Sequence, residues 1–223
     1  MPTLTERLSE VRANIAEAAA EAGTDASALT LIVVTKFHPA SLVRELHSLG
    51  VADVGESRHQ EATVKSGELS DLELRWHFVG QLQSKKARQA LGYTRVIHSV
   101  DRASLVDALS TADLPVDVFL QVNLTDDPAR GGAPASEVSG LAEAIVSTSH
   151  LRLRGVMAVA PLGEEPRAAF ARLRAIGDLV RRIAPGATAM SAGMSNDYRE
   201  AILEGATHLR IGSAITGLRP SPG

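Results

Sequence analysis

Only four lysines, Lys36, Lys65, Lys85 and Lys86, occur in a chain of 223 residues, and arginine carries nearly all the positive charge. Lys36 is the one whose setting suggests chemistry. It ends the apolar run LTLIVVTK in phase with Ile32 and Val34, so two branched aliphatics and an amine share one face of an extended segment. On the axis of a barrel, that amine would desolvate toward the neutral form that attacks carbonyls. The plainer reading is a strand-end lysine that snorkels to water or pairs with a loop carboxylate such as Glu56. Lys65, Lys85 and Lys86 lie on polar helical segments and read as solvated.

A second group lies near the end of the chain. Gly193-Met194-Ser195 precedes a helical segment opening at Asn196-Asp197, and Gly212-Ser213 follows an apolar strand. Glycines let a backbone approach an anion, hydroxyls add donors, and helix starts leave N–H groups free, so the pair reads as a phosphate cup. Alone, GMSND also reads as a turn and cap. Arg210, two residues before Gly212, should reach the same pocket. There it could meet a phosphate, a ring nitrogen or a neighbouring carboxylate. A lysine, a phosphate cup and an arginine together suit pyridoxal 5′-phosphate. A cofactor-free Schiff-base aldolase acting on a phosphorylated sugar would use the first two features equally well.

Other polar residues carry weaker signals. His77, between Trp76 and Phe78, either lines the pocket or is a strand histidine bonded to a backbone carbonyl. Asn123 ends a strand and is expected to approach the cofactor. Glu56 and Gln60-Glu61 read as residues at a helix start. Asp126-Asp127 lacks a third ligand at metal-binding spacing, so loop solvation is the reading.

These residues need a frame, and the chain alternates two periodicities throughout. Leu4, Leu8, Val11 and Ile15 mark an amphipathic helix over about 4–22. Eight strand segments alternating with helices follow over about 29–217. That pattern predicts βαβ units, a parallel sheet and, at eight repeats, a (β/α)8 TIM-type barrel as a single domain, 1–223. An open doubly wound sheet is the alternative. In either, a ligand belongs at the C-terminal ends of the strands, where Lys36, Ser57, His77, Asn123, Ser195, Arg210 and Gly212 fall.

Composition excludes other classes. A net charge of −3 advertises neither nucleic acid nor an anionic membrane as partner, and the absence of cysteine removes disulfides, thiolate metal sites and a cysteine nucleophile. The opening MPTLTERLSEV is charged, without the apolar run of a secretory leader, so a cytoplasmic protein is expected.

The segments VVTKF, GESRHQE, WHFVGQLQSKK, HSVD, QVN, GVMAVAP, SAGMSNDYREAI and HLRIGSAITG, in this order, resemble the pyridoxal phosphate homeostasis protein (YggS/PROSC) family from about Leu4 to Gly217. The resemblance implies the barrel of the alanine racemase N-terminal domain, with pyridoxal 5′-phosphate held as an internal aldimine on Lys36. Arg210 matches the residue facing the pyridine nitrogen, and Ser195, Gly212 and Ser213 match the phosphate cup, with Met194 among them. The family's GEN motif has Ser57 in place of asparagine, SMGMS has become SAGMS at Ala192, and Ser213 replaces a threonine.

The function expected is buffering or delivery of pyridoxal 5′-phosphate, with effects on amino-acid and keto-acid balance and with apoenzymes as transient recipients. The alternative is a low-activity racemase. Racemisation needs two bases, and neither Tyr93 nor Tyr198 is placed as an obvious partner to Lys36. The chain has no room for the second domain that supplies the tyrosine in barrel racemases, and a monomer is expected for the same reason.

Overall fold

In a computed structural model describing residues 2–217, the β-branched run TLIVV forms strand β1 (Thr30–Val34). Before it, helix α1 (Leu4–Glu21) opens on a capping box, Thr3 with Glu6, and turns Leu4, Leu8, Val11, Ile15 and Ala18 inward. Seven further strands alternate with helices: α2 (Ala40–Ser48), β2 (Asp53–Glu56), α3 (His59–Glu68), β3 (Arg75–Phe78), α4 (Ala87–Ala90), β4 (Val96–Val100), α5 (Ala103–Leu109) and β5 (Val116–Gln121). The series continues with α6 (Val138–Val146), β6 (Leu151–Met157), α7 (Pro166–Ile183), β7 (Ala189–Ser191), α8 (Tyr198–Leu203), β8 (His208–Ile211) and α9 (Ser213–Thr216).

All eight strands pair in parallel and in chain order, and β8 pairs with β1 (Ile32 beside Arg210, Val33 beside Ile211). The sheet is therefore a closed (β/α)8 barrel of the expected kind. Closure removes sheet edges and fixes two layers of side chains. The outer layer is the main core, where Val33, Val54, Leu120 and Ile211 meet helix residues such as Val43, Leu46, Phe170 and Leu173. The inner layer is different. Its apolar part is a small separate cluster, Val96, Phe119 and Met157, with Ala189 against it. Much of the remaining interior is polar: His77, His98, Ser191 and Arg210 are all buried. Gly155 permits the approach of β6 to β7, since a Cβ there would lie 1.7 Å from the Ala189 carbonyl oxygen.

Two sequence expectations need correction. Lys65 is not solvated: it is buried on the inner face of α3, and its ammonium donates to Glu56 Oε1 at 2.5 Å and to the Thr35 carbonyl at 2.7 Å. Glu56 is not a helix-start residue. It is the last residue of β2, fully buried on the helix-facing side, and its carboxylate accepts from the Thr35 hydroxyl at 2.7 Å. Burial raises the Glu56 carboxyl above the usual range despite Lys65 and Thr35, and its Oε2 has no hydrogen-bond partner. Strand β3 ends at Phe78. At Gly80 the chain presses against the end of β2, where a Cβ would sit 2.3 Å from the Ser57 carbonyl oxygen.

Candidate functional site

The C-terminal strand ends open into a cavity of about 770 Å³, within the size range of small-molecule sites. Of the nine residues proposed from sequence, seven line it: Lys36, Ser57, Met194, Ser195, Arg210, Gly212 and Ser213. They come from the ends of β1, β2, β7 and β8. Ring closure brings the first strand beside the last.

Lys36 is held from both sides rather than buried. β1 ends at Val34, and Lys36 is exposed at the mouth, so the expected desolvation is absent. Its predecessor Thr35 is tied to Glu56 and Lys65. Its successor Phe37 adopts φ +68° and donates its N–H to Glu61 Oε2 at 2.9 Å. A left-handed phenylalanine costs on the order of 1 kcal/mol, so Glu61 and the packing around it hold a turn the chain would otherwise relax. The Lys36 Nζ lies 5.9 Å from the centre of the Phe37 ring. Sequence reasoning assigned Glu61 to a helix start and missed this role. The spacing VVTKF…GESRHQE does not show that the first turn of α3 folds back over the β1 end.

The opposite rim is made of hydroxyls and backbone. Gly193 takes φ +90° with a Cβ position only 2.8 Å from Tyr198 Cα and Ala201 Cβ, which admits no side chain. The next residue, Met194, donates its N–H to Asp197 Oδ1 at 2.6 Å, fixing the turn into α8. Ser195 Oγ accepts from the Ala214 N–H at 3.2 Å and from the Ser213 hydroxyl at 3.3 Å. The two loops expected to form a cup are thus stitched together, with two hydroxyls and the start of α9 at one place.

Arg210 is buried on the inner face of β8 and still reaches the cavity. Its Nη1 donates to Ser191 Oγ at 2.6 Å and its Nη2 to the Ala158 carbonyl at 2.8 Å. Burial lowers its pKa to about 10, opposed by Asp197, so it remains a cation at neutral pH. The barrel wall occupies only part of its donor set, and the remaining N–H groups are available to a ligand.

His77 and Asn123 do not line this cavity. His77 lies deeper, with Nε2 2.8 Å from Asp53 Oδ1 and Nδ1 2.9 Å from His98 Nε2. Its partners are side chains rather than a backbone carbonyl. Asn123 donates from Nδ2 to the carbonyls of Asp127 (2.9 Å) and Arg130 (3.2 Å), and its Oδ1 accepts from the Thr125 N–H. It shapes the loop that brings Arg130 to the mouth, a lining residue the sequence reading did not single out. The segment Val159–Glu164 after β6 also lines the mouth, with Leu162 90% exposed.

A primary amine at an open mouth, paired hydroxyls beside a helix start and a buried cation with free donors match the aldehyde, phosphate and ring nitrogen of pyridoxal 5′-phosphate. The residues fit the group.

Residues 7–220 match the family model described as alanine racemase, N-terminal domain. The chain is 43% identical over 226 residues to the pyridoxal phosphate homeostasis protein of Pseudomonas aeruginosa, covering 98% of this chain and 97% of that one. Its identity to the protein of the same name from Escherichia coli is 35%, with 98% of each chain covered. Among solved structures, PipY of Synechococcus elongatus with PLP bound superposes with a TM-score of 0.81 at 34% identity, covering 96% of this chain and 100% of that one. A Bifidobacterium adolescentis protein described as unknown reaches a TM-score of 0.89 at 28% identity, covering 95% and 94%. Alanine racemase of Corynebacterium glutamicum, 18% identical with a TM-score of 0.70, shares the fold over 97% of this chain and 62% of its own length. On its matches across nearly the whole length, the chain belongs to the pyridoxal phosphate homeostasis protein family.

Proposed function

We propose that this chain binds pyridoxal 5′-phosphate at the barrel mouth and buffers or delivers it to apoenzymes. The observation that carries the reading is the convergence of Lys36, the Ser195–Ser213 hydroxyl pair and Arg210 on one cavity. Bound pyridoxal 5′-phosphate supplies an aldehyde open to covalent capture by an amine and a ring that can withdraw electrons.

The chain's own groups divide the work. Lys36 would hold the aldehyde carbon, presented by a backbone that Thr35 and Phe37 fix on either side. Ser195 would donate its hydroxyl hydrogen to the phosphate, its oxygen held by the Ser213 hydroxyl and the Ala214 N–H. Ser57 adds a hydroxyl on the Lys36 side. Arg210 would donate to the ring nitrogen and, as a cation, keep that nitrogen unprotonated. An unprotonated ring is a poor electron sink, which favours holding the cofactor over transforming amino acids. Exposed Lys36, Met194 and Leu162 leave the mouth open to water, and an open mouth suits loading and release. No helix among the described residues is long and apolar enough to cross a membrane. The proposal includes a cytoplasmic monomer, which sizing of the native protein checks.

The test is an absorbance spectrum of the reconstituted protein followed by mixing with an apoenzyme. A visible band that transfers as the recipient gains activity is the expected result. A protein that stays colourless in excess pyridoxal 5′-phosphate contradicts the reading. Alanine racemisation at ordinary enzyme rates, above about 1 s⁻¹, would replace the carrier role with the enzymatic one.

A further inference from the structure

Inside the barrel, below the proposed cofactor, five polar side chains form one hydrogen-bonded column. From the mouth downward, Arg210 Nη1 meets Ser191 Oγ at 2.6 Å, and Ser191 Oγ meets His98 Nδ1 at 2.8 Å. His98 Nε2 meets His77 Nδ1 at 2.9 Å, and His77 Nε2 meets Asp53 Oδ1 at 2.8 Å. The residues come from β8, β7, β4, β3 and β2. Asp53 is the first residue of its strand, at the end opposite the mouth, and its side chain is 21% exposed there. Arg75 lies 3.6 Å from it. Phe119 stacks on His98 at 4.3 Å, and the His208 ring lies 6.1 Å from His98.

With one proton on each imidazole, the chemistry of the two ends fixes the direction of every bond between them. A guanidinium only donates and a carboxylate only accepts. Asp53 therefore takes the His77 Nε2–H, which leaves Nδ1 of a neutral His77 as an acceptor. His98 must then donate from Nε2 and accept at Nδ1, the Ser191 hydroxyl must donate to it, and Ser191 Oγ accepts from Arg210. Each of the four contacts receives one hydrogen in that arrangement. Chains of this kind polarise bond by bond, and here a cation and an anion stand at the correct ends.

We infer that Asp53, His77, His98 and Ser191 are positioning residues for Arg210. In this reading a one-directional column rooted in the barrel floor sets how the guanidinium is presented to the ring of the bound cofactor. The inference rests on the reading of the mouth as a pyridoxal 5′-phosphate site, and it assigns a role to two histidines that no bonding at the mouth requires. It also explains the polar barrel interior. An apolar filling would pack as well but would leave Arg210 held by Ser191 and Ala158 alone, with Ser191 free to rotate.

Long-range ¹H–¹⁵N spectra of the imidazoles in the cofactor-free protein read the tautomers directly and need no cofactor. The expected result is a proton on Nε2 and none on Nδ1 in both His77 and His98. A proton on Nδ1 of either ring overturns the inference, whatever becomes of cofactor binding.

Titration with pyridoxal 5′-phosphate, followed at its visible band, then tests the role. Ser191→Ala is expected to weaken binding about tenfold and to shift the band, in line with the loss of one hydrogen bond to a charged group. Asp53→Ala acts from the far end of the barrel and is expected to weaken binding about threefold with a smaller shift. Asp53→Asn, which keeps an acceptor oxygen, should restore most of both. Predicted tautomers with unchanged affinity and band position in Ser191→Ala and Asp53→Ala would reduce the column to core structure and overturn the positioning role. A wild-type protein that binds no cofactor would fail the functional reading and leave the tautomer test to stand alone. Folding of each variant is checked by thermal unfolding, and Asp53, being part-exposed, is the safer site if Ser191→Ala does not fold.

Discussion

At the scale of single residues, Lys36 is distinguished by how its backbone is held. Glu61 accepts the Phe37 N–H, and Phe37 occupies the left-handed region. Replacing Glu61 with alanine removes that acceptor, and the turn can relax without it. Glu61→Ala is therefore expected to weaken pyridoxal 5′-phosphate binding about fivefold, roughly 1 kcal/mol, with little change in unfolding temperature. A fluorescence titration using Trp76 or the cofactor's own absorbance measures it. Unchanged affinity would mean that other contacts hold the turn. The partner at Phe37 was not legible in the sequence, because a contact 24 residues apart depends on the angle at which α3 leaves β2.

At the scale of elements, the Glu56–Lys65 pair joins β2 to α3 and, through Thr35, to the strand that carries Lys36. Removing one partner leaves the other as an uncompensated buried charge, at a cost of about 3–5 kcal/mol. Lys65→Met should lower stability by about that much in urea unfolding, and the double change Glu56→Leu with Lys65→Met should recover much of it. If the single and double variants unfold alike, the pair contributes packing rather than charge. The elements themselves were legible. Period-two apolar runs and three- to four-residue helical steps showed all eight strands. The sides of α3 were harder to read, because its single buried lysine stands on a helix that is otherwise polar. The depth of Lys36 was misread for a related reason. The phase of β1 was correct, but the phase does not say that the strand ends at Val34.

At the scale of the whole molecule, a closed barrel with histidines in its interior should be sensitive to acid. Burial pulls His208 down to about 4, and His98 well below the ordinary histidine value of 6.5. Unfolding frees both to take up protons, so between pH 6.5 and about 4 the unfolded state binds more protons than the folded one. Their contribution is complete above pH 6.5 and is lost as pH falls through that window. Glu56, with its carboxyl raised, acts in the opposite sense just above pH 4.5. The net expectation is an unfolding midpoint that falls between pH 7 and pH 5, with a shallower fall in His208→Gln. A midpoint flat over that range would contradict the neutral, buried state of these rings. This interior column was not legible from sequence. His77 and His98 meet only because β3 and β4 pair, and Ser191 and Arg210 join them only because the barrel closes.

Reductive trapping tests the central claim most directly, because the chain offers few amines and the structure separates them. Lys65 is buried in an ion pair, Lys85 and Lys86 lie in the segment leading into α4, and Lys36 alone lines the mouth. Borohydride reduction of the protein loaded with one equivalent of pyridoxal 5′-phosphate, followed by peptide mass mapping, should place the adduct on Lys36 and nowhere else. Lys36→Ala should abolish the visible band. An adduct on Lys85 or Lys86 with Lys36 unmodified, or a band that survives Lys36→Ala unchanged, would contradict the account.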